Sequence, residues 1–100
     1  MAYLTAVRQA RSHKHMFYVY VLRSLKTGEF YKGLTSDLDQ RLKDHESGKT
    51  RSTKYRLPFE LVYVEICSDR KDARIREKYL KSGIGRELIR EILRLRVNKV

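Results

Sequence analysis

Two polar side chains, Arg41 and His45, occupy positions at which an amphipathic helix would normally carry apolar residues. The segment FYKGLTSDLDQRLKDH, residues 30 to 45, predicts a helix in its second half, with Leu38 and Leu42 facing a core. At about 100° per residue, His45 falls about 20° and Arg41 about 60° from Leu38. A guanidinium and an imidazole therefore border the buried stripe. Each also has a structural explanation, because an arginine stem can cover apolar surface and a cation suits a helix C-terminus.

A carboxylate repeats the anomaly on a later predicted helix. Glu77 lies about 40° from Ala73, inside the stripe that Ala73 and Leu80 define. The structural alternative is an ion pair with Lys81, one turn farther on, along a solvated flank. Burial of a charge is costly unless the charge is paired or binds a metal ion. Three inward polar groups on two helices therefore predict one shared site.

Three strands and three helices must position these groups. Residues 16 to 23, MFYVYVLR, and the extended pattern EFYKG that follows a turn predict a β-hairpin. Residues 59 to 67, FELVYVEIC, predict a third strand, and its nearly continuous apolar character predicts a central position. Helices are predicted over residues 37 to 47, 69 to 81 and 86 to 96. The order β-β-α-β-α-α indicates an α/β (α+β) fold, a small three-stranded sheet with helices on two sides.

Composition bounds the class of protein. The chain has 100 residues, of which 41% are hydrophobic, and this suits one domain over residues 16 to 100 after a basic arm at residues 1 to 15. Its 23 Lys and Arg residues against 12 Asp and Glu give a net charge of +11, which predicts a polyanionic partner. No apolar run approaches the roughly 18 residues of a membrane span. The single cysteine, Cys67, permits no internal disulfide, so we expect a cytoplasmic protein without a membrane partner.

Tyrosines of the hairpin complete a recognisable spacing. Strand alternation places Tyr18 and Tyr20 on one face of the first strand, and Tyr31 lies near them on the second. The tripeptide YVY at 18 to 20 and YKG at 31 to 33 precede a series of spaced residues, namely Thr35, Leu38, Arg41, Leu42, His45 and then Glu77. This pattern resembles the GIY-YIG nuclease family, and in particular its small single-domain members. The resemblance extends over about residues 16 to 83 and includes the order of elements.

The resemblance implies a metal-dependent phosphodiesterase that hydrolyses DNA, with Mg²⁺ or Mn²⁺ as cofactor. The residues that match the family's motif are Tyr20, Tyr31, Gly33, Arg41, His45 and Glu77. It implies that Glu77 binds the metal ion and that Arg41 holds the phosphate oxygens.

Two residues compete for the role of general base. Tyr20 is favoured, and His45 is the alternative because it titrates nearer neutrality. Tyr31 is expected to support the site by hydrogen bonding. Gly33 is expected to let backbone approach a ligand or to adopt a positive φ. Lys32 departs from the motif, and alternation predicts that it points away from Tyr31, outside the site.

Two basic surfaces are candidates for contact with nucleic acid. The loop KTRSTKYR, residues 49 to 56, directly follows the predicted catalytic helix, and its candidate contacts are Lys49, Arg51, Lys54, Tyr55 and Arg56. On the last helix, Arg86, Arg90 and Arg94 recur every four residues. Acidic neighbours partly neutralise that second stripe, so an ordinary exposed face explains it equally well.

We therefore predict a GIY-YIG-type DNA endonuclease that is selective for structure or weakly specific for sequence, with DNA repair or recombination as the associated process. A monomer is favoured, with a weak oligomer left open. The alternative is a basic module that binds DNA or RNA and cleaves poorly, and a purely structural basic protein is a third class. Loss of cleavage on metal removal separates the first from the others.

Overall fold

The computed structural model describes residues 16–98, with side chains up to residue 96, and the basic arm predicted over residues 1–15 lies outside this range. The chain opens with a hairpin of β1, Phe17–Ser24, and β2, Phe30–Thr35. Ser24 closes the turn, because its hydroxyl oxygen accepts hydrogen bonds from the backbone amides of Lys26 and Thr27 at 3.1 and 3.0 Å. The same hydroxyl donates to the carbonyl oxygen of Arg56 at 2.6 Å, which ties the turn to a later loop.

Three helices and a short 3-10 turn complete the fold. Helix α1 is Leu38–Glu46, α2 is Arg70–Lys81 and α3 is Gly83–Asn98, and a 3-10 turn at Lys54–Arg56 lies between α1 and β3, Phe59–Cys67. The aspartates that precede α1 and α2 cap their first turns, as short polar side chains at this position commonly do. Gly48 follows α1 with φ +79°, the left-handed conformation that ends many helices at glycine. The predicted order β-β-α-β-α-α is confirmed.

The sheet is antiparallel with strand order β2-β1-β3, so β1 is central and the prediction that β3 is central was wrong. The reason lies in a β-bulge. Leu22 pairs with Leu61 and Val21 pairs with Tyr63, which leaves Val62 without a partner on β1. A bulge shifts the alternation of side chains by one residue. Before the bulge Phe59 and Leu61 pack on the tyrosine face, and after it apolar side chains reach both faces, Val64 the tyrosine face and Tyr63 and Cys67 the other.

The two faces of the sheet carry different cores, and helices cover both, as predicted. Val19 and Val21 pack with residues of α2 and α3, including Leu80 and Ile89. Tyr18, Tyr20 and Leu22 point to the opposite face and pack against Leu38 of α1, again as a buried cluster. The strand alternation of β1 thus sends Val19 and Val21 to one face, and both tyrosines together with Leu22 to the other. No helix within residues 16–98 is long and apolar enough to cross a bilayer.

An ion pair joins α2 to the sheet at β3. Arg76 donates to both carboxylate oxygens of Glu65, at 2.7 and 2.9 Å, and the Tyr63 hydroxyl donates to the same carboxylate at 2.7 Å. The ion pair and hydrogen bonds lower the pKa of Glu65, while burial and the negative carboxylate raise the pKa of Tyr63 to about 12. Every charge in this cluster has a partner.

Candidate active site

Tyr20 stands at the centre of the predicted site. Its ring is buried, and its hydroxyl oxygen lies 3.0 Å from Nε2 of His45. The Arg41 Nε–H donates to the same oxygen at 3.4 Å. Helix α1 places Arg41 and His45 one turn apart on the face that covers β1. The inward position of both polar groups, with which the sequence analysis began, therefore brings them to one phenol.

Hydrogen bonds beyond His45 favour one tautomer. The Thr53 hydroxyl can donate to the carbonyl oxygen of Thr50 at 3.3 Å, and its oxygen lies 2.9 Å from Nδ1 of His45. A hydroxyl has one proton to donate. When Thr53 donates to Thr50, Nδ1 carries the imidazole proton and donates to Thr53, and Nε2 is the acceptor for the Tyr20 O–H. The resulting chain gives Tyr20 a base on the protein side and a cation, Arg41, beside it.

Thr53 is the residue that sequence reasoning missed. It is fully buried within the basic loop, in which the sequence predicted roles only for the cations and Tyr55. Its position eight residues after His45 offered no recognisable signal, because a small polar residue in a loop is most often solvated. Its contact with His45 anchors the loop against the site.

Aromatic rings surround the imidazole. The ring centroids of Tyr31, Tyr20 and Phe59 lie 5.1, 5.8 and 6.2 Å from that of His45, each in an edge-on arrangement. His45 is only 1% exposed, so it lies behind Tyr20 and has no direct route to a ligand. Burial, and then the positive charge of Arg41, lower the pKa of His45 and keep it neutral. Tyr31 enters the site as a packing ring, and its predicted hydrogen-bonding role stays a prediction.

Gly33 makes room for Tyr20, and the predicted positive φ was wrong, while the predicted approach of its backbone to a ligand stays a prediction. It faces Tyr20 across the β1–β2 pair, and its φ is not positive. A Cβ at this position would lie 2.3 Å from the Tyr20 hydroxyl oxygen and 2.4 Å from the ring carbon that bears it. The Tyr20 phenol therefore passes over β2 at Gly33, the residue of that strand that has no side chain.

A cleft of about 420 Å³ opens beside Tyr20, along the edge of the sheet at β2. Its lining includes Tyr20, Tyr31, Arg41 and Glu77, so four of the five predicted catalytic residues meet there, with His45 behind them. Lys32 also lines the cleft, and the expectation that it lies outside the site was wrong. It does point away from the Tyr31 face, but the cleft continues around the edge strand to that other face.

Electrostatics in the cleft favour an anion. Burial raises the pKa of Tyr20, and the hydrogen bond from Arg41 opposes that rise. Arg41 forms no ion pair with an acid of residues 16–98, and its pKa is raised chiefly by the hydrogen bond to Tyr20. Its positive charge faces the cleft, and no ion pair with a carboxylate of the described residues neutralises it.

Glu77 is the residue available to hold a metal ion. Its side chain is 16% exposed, lines the cleft and forms an ion pair with Lys81 at 3.3 Å, so the predicted ion pair is present and the metal-binding role stays a prediction. No group of three or more His, Cys, Asp or Glu side chains suited to a metal occurs in the described part of the chain. The donor set fits Mg²⁺ or Mn²⁺, which bind through one or two carboxylates with water and substrate phosphate in the remaining positions.

The basic loop divides into two parts in the structure. Tyr55 is 75% exposed, and the Lys54 ammonium lies 4.9 Å from its ring centroid. Lys49 and Arg51 are exposed as well. Arg56 instead pairs with Glu29 of the hairpin at 2.9 Å, so it belongs to a different surface from Tyr55.

The fold and the cleft define a small α+β domain with a polar cleft at the β2 edge of its sheet. Residues 16–87 match the GIY-YIG catalytic domain, and the chain belongs to that family, as the motif spacing predicted. It is 39% identical over 70 residues to a UPF0213 protein of Bacillus cereus, which covers 69% of this chain and 70% of the relative. A UPF0213 protein of Bacillus pumilus is 36% identical over 87 residues, which covers 86% of this chain and 88% of the relative. The solution NMR structure of a UPF0213 protein from Bacillus halodurans is similar with a TM-score of 0.49 and 35% identity, over 77% of this chain and 84% of that one.

Proposed function

We propose that the chain is a metal-dependent endonuclease that hydrolyses phosphodiester bonds in DNA. One observation carries this proposal: the Tyr20 hydroxyl lies between a neutral imidazole and an arginine without an acidic partner, in the cleft that Glu77 also lines. Membership of the GIY-YIG catalytic domain family supports it. We propose a separate task for each of these residues.

Tyr20 acts as the general base through His45. The Tyr20 hydroxyl accepts a proton from the attacking water while its own proton passes to Nε2 of His45. The imidazole then carries both protons, with the Nδ1 proton still bonded to Thr53. The Tyr20 pKa, raised by burial, makes a free phenolate unfavourable, so transfer to His45 is what allows the tyrosine to work near neutral pH. The two candidate bases thus become one relay.

Arg41 holds and polarises the scissile phosphate. Its Nε–H is engaged by Tyr20 and the guanidinium also interacts with Tyr31, so its remaining N–H groups can donate to nonbridging oxygens. A guanidinium aimed where negative charge develops stabilises the transition state strongly, because the protein has already oriented it. The negative phosphate in turn offsets the positive charge that disfavours a protonated His45.

Glu77 provides the carboxylate for Mg²⁺ or Mn²⁺. A divalent ion bound there supplies charge neutralisation at the phosphate and at the departing 3′ oxygen. Lys81 must release Glu77 for this to happen, and its side chain is 55% exposed, so it can turn to solvent or to the substrate. The ion pair with Lys81 thus holds the carboxylate beside the cleft.

The substrate is expected to be DNA that is recognised by its structure. The cleft residues offer cations and hydroxyls, which contact phosphate and sugar and carry no sequence information. Lys49, Arg51, Lys54 and the exposed ring of Tyr55 are the proposed contacts for flanking nucleotides. A cytoplasmic monomer that acts in DNA repair or recombination is part of the same proposal.

One observation favours a second function. The Lys81 ammonium already neutralises Glu77, so the cleft can hold a phosphate by charge alone, without a metal ion. In that case the chain binds nucleic acid, DNA or RNA, and cleaves poorly. The two functions differ in whether metal removal abolishes a chemical product.

The deciding experiment compares cleavage of labelled single-stranded, duplex and branched DNA with Mg²⁺, with Mn²⁺ and with EDTA. Glu77→Ala is the test variant, and Glu87→Ala is its control, since Glu87 is an exposed glutamate of α3 that does not line the cleft. We expect metal-dependent cleavage by the wild type and the control, and none by Glu77→Ala, which still binds DNA. Salt-sensitive binding without cleavage by any of the three proteins would favour the binding module.

A further inference from the structure

A second and larger groove, of about 800 Å³, lies between the β1–β2 turn and helix α3. Eleven residues line it, and one of them, Glu29, is acidic. Six are cations, namely Arg23, Lys32, Arg56, Arg86, Arg90 and Arg94. The arginine stripe of α3, which the sequence left open between a binding surface and an ordinary exposed face, is therefore one wall of a concave surface.

Ion pairs neutralise only a minority of these cations. Glu29 pairs with Arg56 at 2.9 Å, and Glu91 pairs with Arg94. Within residues 16–98, no carboxylate forms an ion pair with any of the other four, which are Arg23, Lys32, Arg86 and Arg90. The groove therefore carries a net positive charge that nothing in the described chain balances.

Lys32 shows that the positive charges of the groove affect one another. It is half-buried, and its pKa is lowered first by burial and then by the positive charges of Arg86, Arg90 and Lys81. A bound anion would oppose all of these effects. Lys32, Arg86 and Arg90 line one groove, and like charges that lie close together repel, so stability alone does not account for this arrangement.

The groove is continuous with the cleft at Tyr20. Phe30, Lys32 and Arg86 line both, so the surface passes around the edge strand β2 from the Arg41 side to the α3 side. Arg90 extends the surface one turn beyond Arg86, about 6 Å along the helix axis. A row of cations that begins at a phosphate site suits a linear polyanion better than a compact anion.

We infer that this groove binds the sugar–phosphate backbone of the nucleic-acid strand that flanks the phosphate held in the cleft. The inference rests on the proposed function in that the cleft holds a nucleic-acid phosphate. It goes further by directing the strand across Lys32 toward Arg23 and Arg90 of the groove. The exposed cations of the loop at residues 49–54 then contact other parts of the substrate.

The test removes two cations that line the groove but not the cleft. The double variant Arg23→Ala/Arg90→Ala is compared with Lys71→Ala/Arg74→Ala, which removes two exposed cations of α2 that line neither surface. Binding of a fluorescent oligonucleotide is measured by anisotropy in EDTA over a range of salt concentrations. Circular dichroism melting verifies that all three proteins are folded.

We expect the slope of log Kd against log salt to fall by about 1 to 2 in the groove variant, since each lost phosphate contact removes about 0.7 to 0.9. The control pair should keep the wild-type slope. Equal slopes in the groove variant and the wild type, or equal losses in both variants, would overturn the inference. Binding in EDTA does not require cleavage, so a failure of the groove and a failure of the nuclease proposal give different results.

Discussion

Two clusters in this molecule combine a strand tyrosine with a helix arginine, and they differ in what balances the arginine. At β3, Arg76 meets the Glu65 carboxylate through two hydrogen bonds, and Tyr63 completes the cluster. Beside the cleft, Arg41 donates to the hydroxyl of Tyr20 and also interacts with Tyr31, with no carboxylate paired to it, and a neutral imidazole lies behind Tyr20. In the first cluster a carboxylate neutralises the arginine, and in the second no ion pair does so.

This difference distinguishes an arginine that supports the fold from one that is available to bind a ligand. A paired arginine contributes modestly to stability, because its Coulomb attraction is offset by desolvation and side-chain ordering. An arginine held in place without an acid gains its full partner only when an anion enters. Matched substitutions in the two clusters should therefore change different properties of the protein.

Removal of the two hydroxyls should give the largest contrast. Tyr20→Phe removes the proton acceptor from the proposed relay and should slow DNA cleavage by about 10² to 10⁴-fold. Tyr63→Phe should leave cleavage unchanged and lower the free energy of unfolding by about 1 kcal/mol, the usual loss for one hydrogen bond. Cleavage rates at saturating metal and urea unfolding measure the two effects. Full activity in Tyr20→Phe would exclude Tyr20 as the base.

Substitution of the two arginines should also affect cleavage in one cluster and stability in the other. Arg41→Ala should slow cleavage by about 10² to 10³-fold, because it removes a preorganised donor to the phosphate. Arg76→Ala leaves the Glu65 carboxylate, 16% exposed, without its cation. Since Arg76 itself is 40% exposed, we expect only about 1 to 2 kcal/mol of lost stability. If Arg41→Ala lost more stability than Arg76→Ala, Arg41 would be a structural residue and the comparison would fail.

A methyl group at Gly33 should disturb the cluster at Tyr20 through its geometry. Gly33→Ala places a Cβ against the Tyr20 phenol and should cost about 1 to 3 kcal/mol, with reduced cleavage from a displaced hydroxyl. Gly83→Ala is the control, because its Cβ would meet nothing within 4 Å at the start of α3. Thermal melting of both variants, with cleavage assays, separates the two. A neutral Gly33→Ala would mean that Tyr20 has room to move.

The pH dependence of stability should report on the neutral imidazole. Burial and the Arg41 charge lower the pKa of His45 below its ordinary value of 6.5. The unfolded chain therefore binds a proton as the pH falls through about 6.5 while the folded chain does not, so stability is full above that pH and decreases below it. We expect the wild-type Tm to fall between about pH 7 and pH 5.5, and this part of the fall to vanish in His45→Gln.

His13→Gln/His15→Gln changes the chain's two other histidines and provides the control, which should retain the wild-type pH profile. An unchanged profile in His45→Gln would place the titration elsewhere. The effect is the smallest of the four, since it concerns one buried group and requires comparison of melting curves over a narrow range.

Local patterns were sufficient to predict the order of elements and the assembly of the cleft. The period of α1 located Arg41 and His45 on its inner face, and the alternation of β1 located Tyr20 opposite them. Such periodicities are properties of single regular helices and strands, so they do not depend on contacts with distant parts of the chain. The inward placement of Glu77 followed in the same way from the stripe of α2.

The features that escaped prediction depend on contacts between distant segments. Strand β3 has a bulge at Val62, and its apolar side chains reach both faces of the sheet. The sequence of this edge strand is therefore typical of a central strand. Thr53 gained its role only from the way its loop folds back on His45. The entry of Lys32 into the cleft depends on how the surface curves around β2, and no spacing along the chain encodes that curvature.

The bulge also has a consequence for association between copies of the chain. Strand β3 is an edge of nine residues, and a regular edge of that length offers a template on which another strand can assemble. Val62 interrupts its register, and the Arg96 guanidinium donates to the Val62 carbonyl oxygen at 3.1 Å. An irregular edge with one acceptor already occupied resists strand addition. This protection against aggregation is built into the fold on the side away from the tyrosine cleft.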